Sequence, residues 1–83
     1  MPIAVDSQTE PLRVIELLTK VAAGHSLVSK DPPAQALLTN LANGTASFEL
    51  RAWTDQAEDW QRVRSNLFMA IKSSLAADGV KMH

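Results

Sequence analysis

The chain has 83 residues, of which 46% are hydrophobic and 20% charged, and its formal net charge is −1. That size supports one domain with one modest core, and the composition is that of a folded domain rather than a disordered one. The near-neutral balance provides no electrostatic pull toward nucleic acid or anionic lipid, and the absence of cysteine excludes disulfides and thiol chemistry.

Ile3-Ala4-Val5 is a short apolar stretch that predicts a first strand. Polar residues follow to Thr9, a candidate N-cap, and Pro11 sits where a first helical turn tolerates it. Leu12 to Ala23 has helical spacing: Val14, Leu18 and Val21 form one apolar row, which Ile15 and Ala22 widen. Gly24 is expected to end this helix in the left-handed conformation. After a connection with a small apolar bump at Leu27-Val28, Pro32-Pro33 forbid helix and lead into an extended segment, Ala34 to Leu41. Asn43-Gly44 is a hairpin signal, because both residues accept positive φ.

The third strand shows period-two alternation, with Phe48, Leu50 and Ala52 on one face and Glu49, Arg51 and Trp53 on the other. A second helix is expected from about Asp55, with Asp55 and Glu58 at capping-box spacing and Glu58 four residues before Arg62. Trp60, Val63, Leu67, Ile71 and Leu75 then form its apolar row. Gly79 ends that helix, and Val80-Lys81-Met82 is expected to be a last short strand. No run approaches the roughly 20 apolar residues of a membrane-spanning helix.

The resulting order β-α-β-β-α-β predicts an α+β, ferredoxin-like βαββαβ sandwich over residues 1–83: one antiparallel sheet, both helices on one face, first and third strands side by side.

Chemistry is sparse. Histidines 25 and 83 have no metal-ligand spacing around them, and the carboxylates Asp55, Glu58 and Asp59 are accounted for by a helix start. The glycines are scattered and form no phosphate-binding loop. No catalytic residue, cofactor or metal site is therefore assigned. The same element order occurs in RNA-recognition modules, which stack bases on aromatics of the central strands. Here the first strand has no aromatic and the charge is not basic, so nucleic acid is not an expected partner. Trp60 starts the apolar helix row and is expected in the core. Trp53 lies by alternation on the uncovered sheet face beside Glu49 and Arg51, where it is either part of a protein-contact surface or a shielded residue near a strand end.

The segment "FELRAWT…EDWQRVRSNLFMAI…L…GV", with "PLRVIELLTKVA" and "KDPPAQALLTNL" upstream, resembles the C-terminal cytoplasmic domain of the small-conductance mechanosensitive (MscS-type) ion channels. The likeness runs from about residue 3 to 80, and its most specific pieces are Lys30–Pro33, Phe48–Trp53 and Trp60 with Val63-Arg64-Ser65. The resemblance implies a non-enzymatic domain with the ferredoxin-like fold. In that family it shapes a hollow cytoplasmic vestibule below the pore, screens solutes and supports packing of neighbouring subunits in a homo-oligomer, typically a heptamer. The membrane would be the bacterial inner membrane, with this segment on its cytoplasmic side and not inserted. The family's pore helices and β domain have no counterpart here. The first strand reads as cut short by Met1-Pro2, and the family's continuation after the Gly-Ile position is replaced by Val80 to His83. Those departures imply an excised domain or a stand-alone relative of one. The other functional reading is a free-standing ferredoxin-like module that binds a partner protein or small ligand through its open sheet face.

Overall fold

In the computed structural model, residues 1–55 and 57–82 are described. Strand β1 spans Pro2–Asp6, helix α1 Pro11–Ala23, strand β2 Gln35–Ala42 and strand β3 Thr45–Arg51. A 3-10 turn at Ala57–Asp59 leads into helix α2, Trp60–Ala77. The strands form one antiparallel sheet in the order β1-β3-β2. This is the α+β arrangement expected from the element order, with β1 and β3 adjacent.

Pleating explains which face is buried. Ile3 pairs with Phe48 and Val5 with Ala46, and Ala36 pairs with Leu50 across β2 and β3. All six are buried, while Glu49, Ser47 and Ala4 alternate with them on the opposite, open face. Both helices cover the buried face. α1 contributes Val14, Leu17, Leu18 and Ala22, and α2 contributes Val63, Leu67, Ile71 and Leu75, all in one cluster with the sheet residues. Val28 of the α1–β2 connection and Val80 after α2 close the ends of that core.

The turns follow local chemistry. Asn43 and Gly44 have φ of 55° and 75°, so the hairpin uses the two positive-φ positions it was expected to use. Gly79 has φ 78° and completes a Schellman end: Gly79 N–H donates to Ala76 O at 3.1 Å, and Val80 N–H to Leu75 O at 2.8 Å.

Several local expectations are corrected. Gly24 is right-handed, with φ −82°, because its N–H simply continues the ladder to Lys20 O at 3.1 Å. The N-cap of α1 is Glu10, one residue after Thr9, and it makes no side-chain cap bond; Pro11 needs no partner for a missing N–H. The Asp55/Glu58 capping box is not formed. The 3-10 turn shifts the α2 cap to Asp59, and Arg62 pairs with Asp59 at 3.1 Å instead of with Glu58. Trp60, expected in the core, is only partly buried against its edge. The last strand is reduced to an isolated antiparallel bridge between Val5 and Met82, supported by Asp6 N–H donating to Lys81 O at 2.9 Å.

Candidate interaction surface

The residues singled out by sequence are carried by the C-terminal half of β3 and the segment after it. Glu49 stands between Pro2 of β1 and Leu37 of β2 in the sheet register, and Arg51 stands opposite Gln35. Because Phe48 and Leu50 are buried, Glu49 and Arg51 face away from the helices. The Glu49 carboxylate is partly screened: its Oε1 accepts from the Met1 amine at 2.9 Å, and that amine also donates to Leu50 O at 3.0 Å. Arg51 is exposed.

Trp53 lies two residues beyond the end of β3, so strand alternation no longer sets its direction. The residue is 40% exposed, and its carbonyl accepts from Ser29 N–H. That bond ties it to the α1–β2 connection, where His25 Nδ1 accepts from Leu27 N–H at 3.1 Å and the Asp31–Pro32 peptide is cis. The structure thus brings Glu49 and Arg51 onto one face, with Trp53 at the end of that strand.

Two grooves flank the same connection. The larger, of about 310 Å³, is lined by Ala23, Ser29, Lys30, Pro33 and Ala34; the smaller, of about 120 Å³, by Ser26, Leu27, Val28, Ser29 and Asp55. Ser29, common to both, donates its hydroxyl to Asp31 O at 3.0 Å. Among the described residues no group of three or more His, Cys, Asp or Glu is placed to hold a metal; His83 lies outside them.

Sequence reasoning passed over two features. One is the ion pair between Arg13 and Asp78, with Nη2–Oδ1 at 2.9 Å and Nε–Oδ2 at 3.1 Å, which joins the start of α1 to the end of α2. The hydrogen bond from Arg13, reinforced by its charge, lowers the Asp78 carboxyl below its ordinary range, and the Asp78 hydrogen bond and charge raise Arg13. Nothing in sequence links positions 65 apart. The other is a row of exposed leucines on β2, Leu37, Leu38 and Leu41. A signal for it was present, because residues 32–48 contain no charged side chain.

No helix among the described residues is long and apolar enough to cross a membrane. The fold is similar to that in the cryo-EM structure of Arabidopsis thaliana MSL1, with a TM-score of 0.79 at 10% identity; the match covers 100% of this chain and 32% of that one. The chain therefore spans about a third of the length of that relative. No curated protein matches the sequence. The family model described as "Mechanosensitive ion channel MscS, C-terminal" matches residues 1–82. The chain, helix-covered on one side of its sheet and open on the other, belongs to the family of MscS-type channel C-terminal domains, which is a channel family and not a family of enzymes.

Proposed function

We propose that this domain is a non-enzymatic part of the vestibule wall of an MscS-type channel, on the cytoplasmic side of a bacterial inner membrane. In this reading it helps neighbouring subunits pack into a homo-oligomer, a heptamer as is typical of the family, and it screens the solutes that reach the pore. The observation that carries the reading is the family match over residues 1–82, which leaves almost none of the chain for another role. The layering supports it. The helices cover one face of the sheet, and the other is open, so Glu49 and Arg51 on that face and Trp53 at its end are free to meet a neighbouring subunit or solutes in this reading. A half-exposed tryptophan beside charged residues has the composition of an interface edge.

A chimera tests this. The pore and β domain of an MscS-type channel are joined to this chain in place of their own C-terminal domain, in cells lacking such channels. The expected result is survival of hypo-osmotic shock and a tension-gated current. Glu49→Lys and Arg51→Glu should shift the reversal potential in opposite directions, and Trp53→Ala should reduce recovery of the oligomer. A chimera that reaches the membrane but does not assemble, although the isolated chain folds, overturns the packing role. Unchanged reversal potentials overturn the screening role.

A further inference from the structure

The chain has three asparagines, Asn40, Asn43 and Asn66, and the fold treats them differently. Asparagine is a chemically labile residue, because the main-chain nitrogen of the next residue can attack its side-chain carbonyl and close a five-membered ring. The step is governed by the bulk of the next residue, by whether its N–H is held in a hydrogen bond, and by whether the asparagine side chain is free to turn.

At Asn40 and Asn66 the step is obstructed. Each is followed by a leucine, whose side chain crowds the nitrogen. Leu41 N–H donates to Asn40 Oδ1 at 2.9 Å, which holds that side chain by its oxygen. Asn66 and Leu67 lie inside α2, where the Leu67 nitrogen belongs to the helix ladder and its side chain is fully buried. Asn43 is the opposite case. Its successor Gly44 has no side chain, and a Cβ built there would meet nothing within 4 Å, so the space beside it is empty. Both residues are exposed. Among the described residues neither the Gly44 N–H nor the Asn43 side chain has a hydrogen-bond partner. The contacts that fix the loop use other atoms: Ser7 N–H donates to Gly44 O at 3.1 Å, and Ala42 pairs with Thr45 across the loop.

We propose that Asn43 is a site of spontaneous deamidation in the folded domain, and that the modification loosens the β2–β3 hairpin. The Gly44 nitrogen gives up its proton to a base in solution and bonds to the Asn43 side-chain carbonyl carbon. The bond from that carbon to the side-chain nitrogen breaks, and ammonia leaves. Water then opens the succinimide. Overall one water is consumed and one ammonia released, with no change of oxidation state. Opening at the side-chain carbonyl leaves aspartate on the original backbone. Opening at the main-chain carbonyl leaves isoaspartate, whose backbone runs through the former side chain and is one carbon longer. The two products differ in consequence. Aspartate is accepted at a positive-φ hairpin position, as asparagine is, and adds a negative charge to residues 32–48, which carry none. Isoaspartate puts an extra carbon between Ala42 and Thr45, and loop length sets hairpin register. That register turns Ala46, Phe48 and Leu50 toward the helices. The Ser7–Gly44 bond carries the same disturbance to the β1–α1 connection. None of this depends on the vestibule reading.

The test incubates the 83-residue chain without denaturant at neutral and mildly alkaline pH. Peptide mass mapping and an isoaspartate-specific methyltransferase follow the products. Asn43 should be lost to aspartate and isoaspartate, faster at the higher pH, while Asn40 and Asn66 stay intact. Asn43→Gln, which needs a larger ring, should remove the isoaspartate signal. The purified isoaspartate form should melt at a lower temperature than the unmodified chain, with faster amide exchange in residues 35–42 and 45–51. Asn43→Asp should match the unmodified chain in both readouts. Conversion that occurs only when urea unfolds the chain overturns the site, as does conversion of Asn40 or Asn66 at an equal rate. An isoaspartate form that melts and exchanges like the unmodified chain overturns the effect on the hairpin.

Discussion

Two tryptophans and one ion pair separate what a residue is from what its neighbours make of it. Trp60 has the sequence position of a core residue but stands at the first turn of α2 and is only partly buried, while Leu67 is fully buried two turns later. Leu67→Ala should therefore cost about 2–5 kcal/mol, and Trp60→Ala only about 1–2 kcal/mol, as read from urea unfolding midpoints. Equal losses would mean that the helix start is buried as deeply as its middle. The Arg13–Asp78 pair is solvent-exposed, and its effect is confined to acid. Because the folded-state value for Asp78 is lowered from 3.8, its stabilising contribution is present above that value and is lost as pH falls through the folded-state value. Arg13 is raised and stays charged at any pH at which the domain is studied. Asp78→Asn should thus lower the melting temperature slightly at pH 6 and not at pH 2, and added salt should shrink the difference at pH 6.

Among elements, the helix ends give the sharpest contrast. Gly24 and Gly79 occupy equivalent places in the sequence pattern, yet only Gly79 has positive φ. A side chain at Gly79 meets open space but must adopt a left-handed backbone, so Gly79→Ala should cost about 1–2 kcal/mol. At Gly24 a Cβ would meet Lys20 O at 3.4 Å, an ordinary contact, in a right-handed backbone. Gly24→Ala should be neutral or stabilising by up to about 1 kcal/mol, because it restricts the unfolded chain. Thermal melts of the two variants check both statements. The last strand shows the limit of element-level reasoning. Val80 is drawn into the core as the residue after the Schellman glycine, and what remains of the segment pairs with β1 through one bridge.

At the scale of the whole molecule, the sheet has one buried face and one open, mostly polar face, and no aromatic of β1 or β3 lies on the open one. On the two adjacent strands β1 and β3 the open face carries Ala4, Ser47 and Glu49, while Phe48 is packed beneath the helices. A base-stacking platform is therefore missing, and the net charge of −1 adds no attraction. A fluorescent single-stranded oligonucleotide should show no anisotropy change with the domain even at low salt; a salt-sensitive rise would contradict this reading of the face.

The sequence by itself determined the order β1, α1, β2, β3 and α2, the apolar face of β3, the row Val63, Leu67, Ile71 and Leu75 of α2, and the two turns at Asn43-Gly44 and Gly79. These depend on periodicity and on φ preferences, which act over a few neighbouring residues. The same local patterns carried the family resemblance that the match over residues 1–82 bears out. Of the candidate surface, Glu49 and Arg51 were legible as a pair because pleating assigns faces without further information. The direction of Trp53 was not, because the strand ends at Arg51. Only the tertiary structure decided that Asp55 and Glu58 would not cap a helix, that Trp60 would sit at the core's rim, and that Arg13 would reach Asp78. It also decided that β2 would be left at an edge with Leu37, Leu38 and Leu41 uncovered. Each of these is settled by what packs alongside, and a single chain segment carries no record of its neighbours in space.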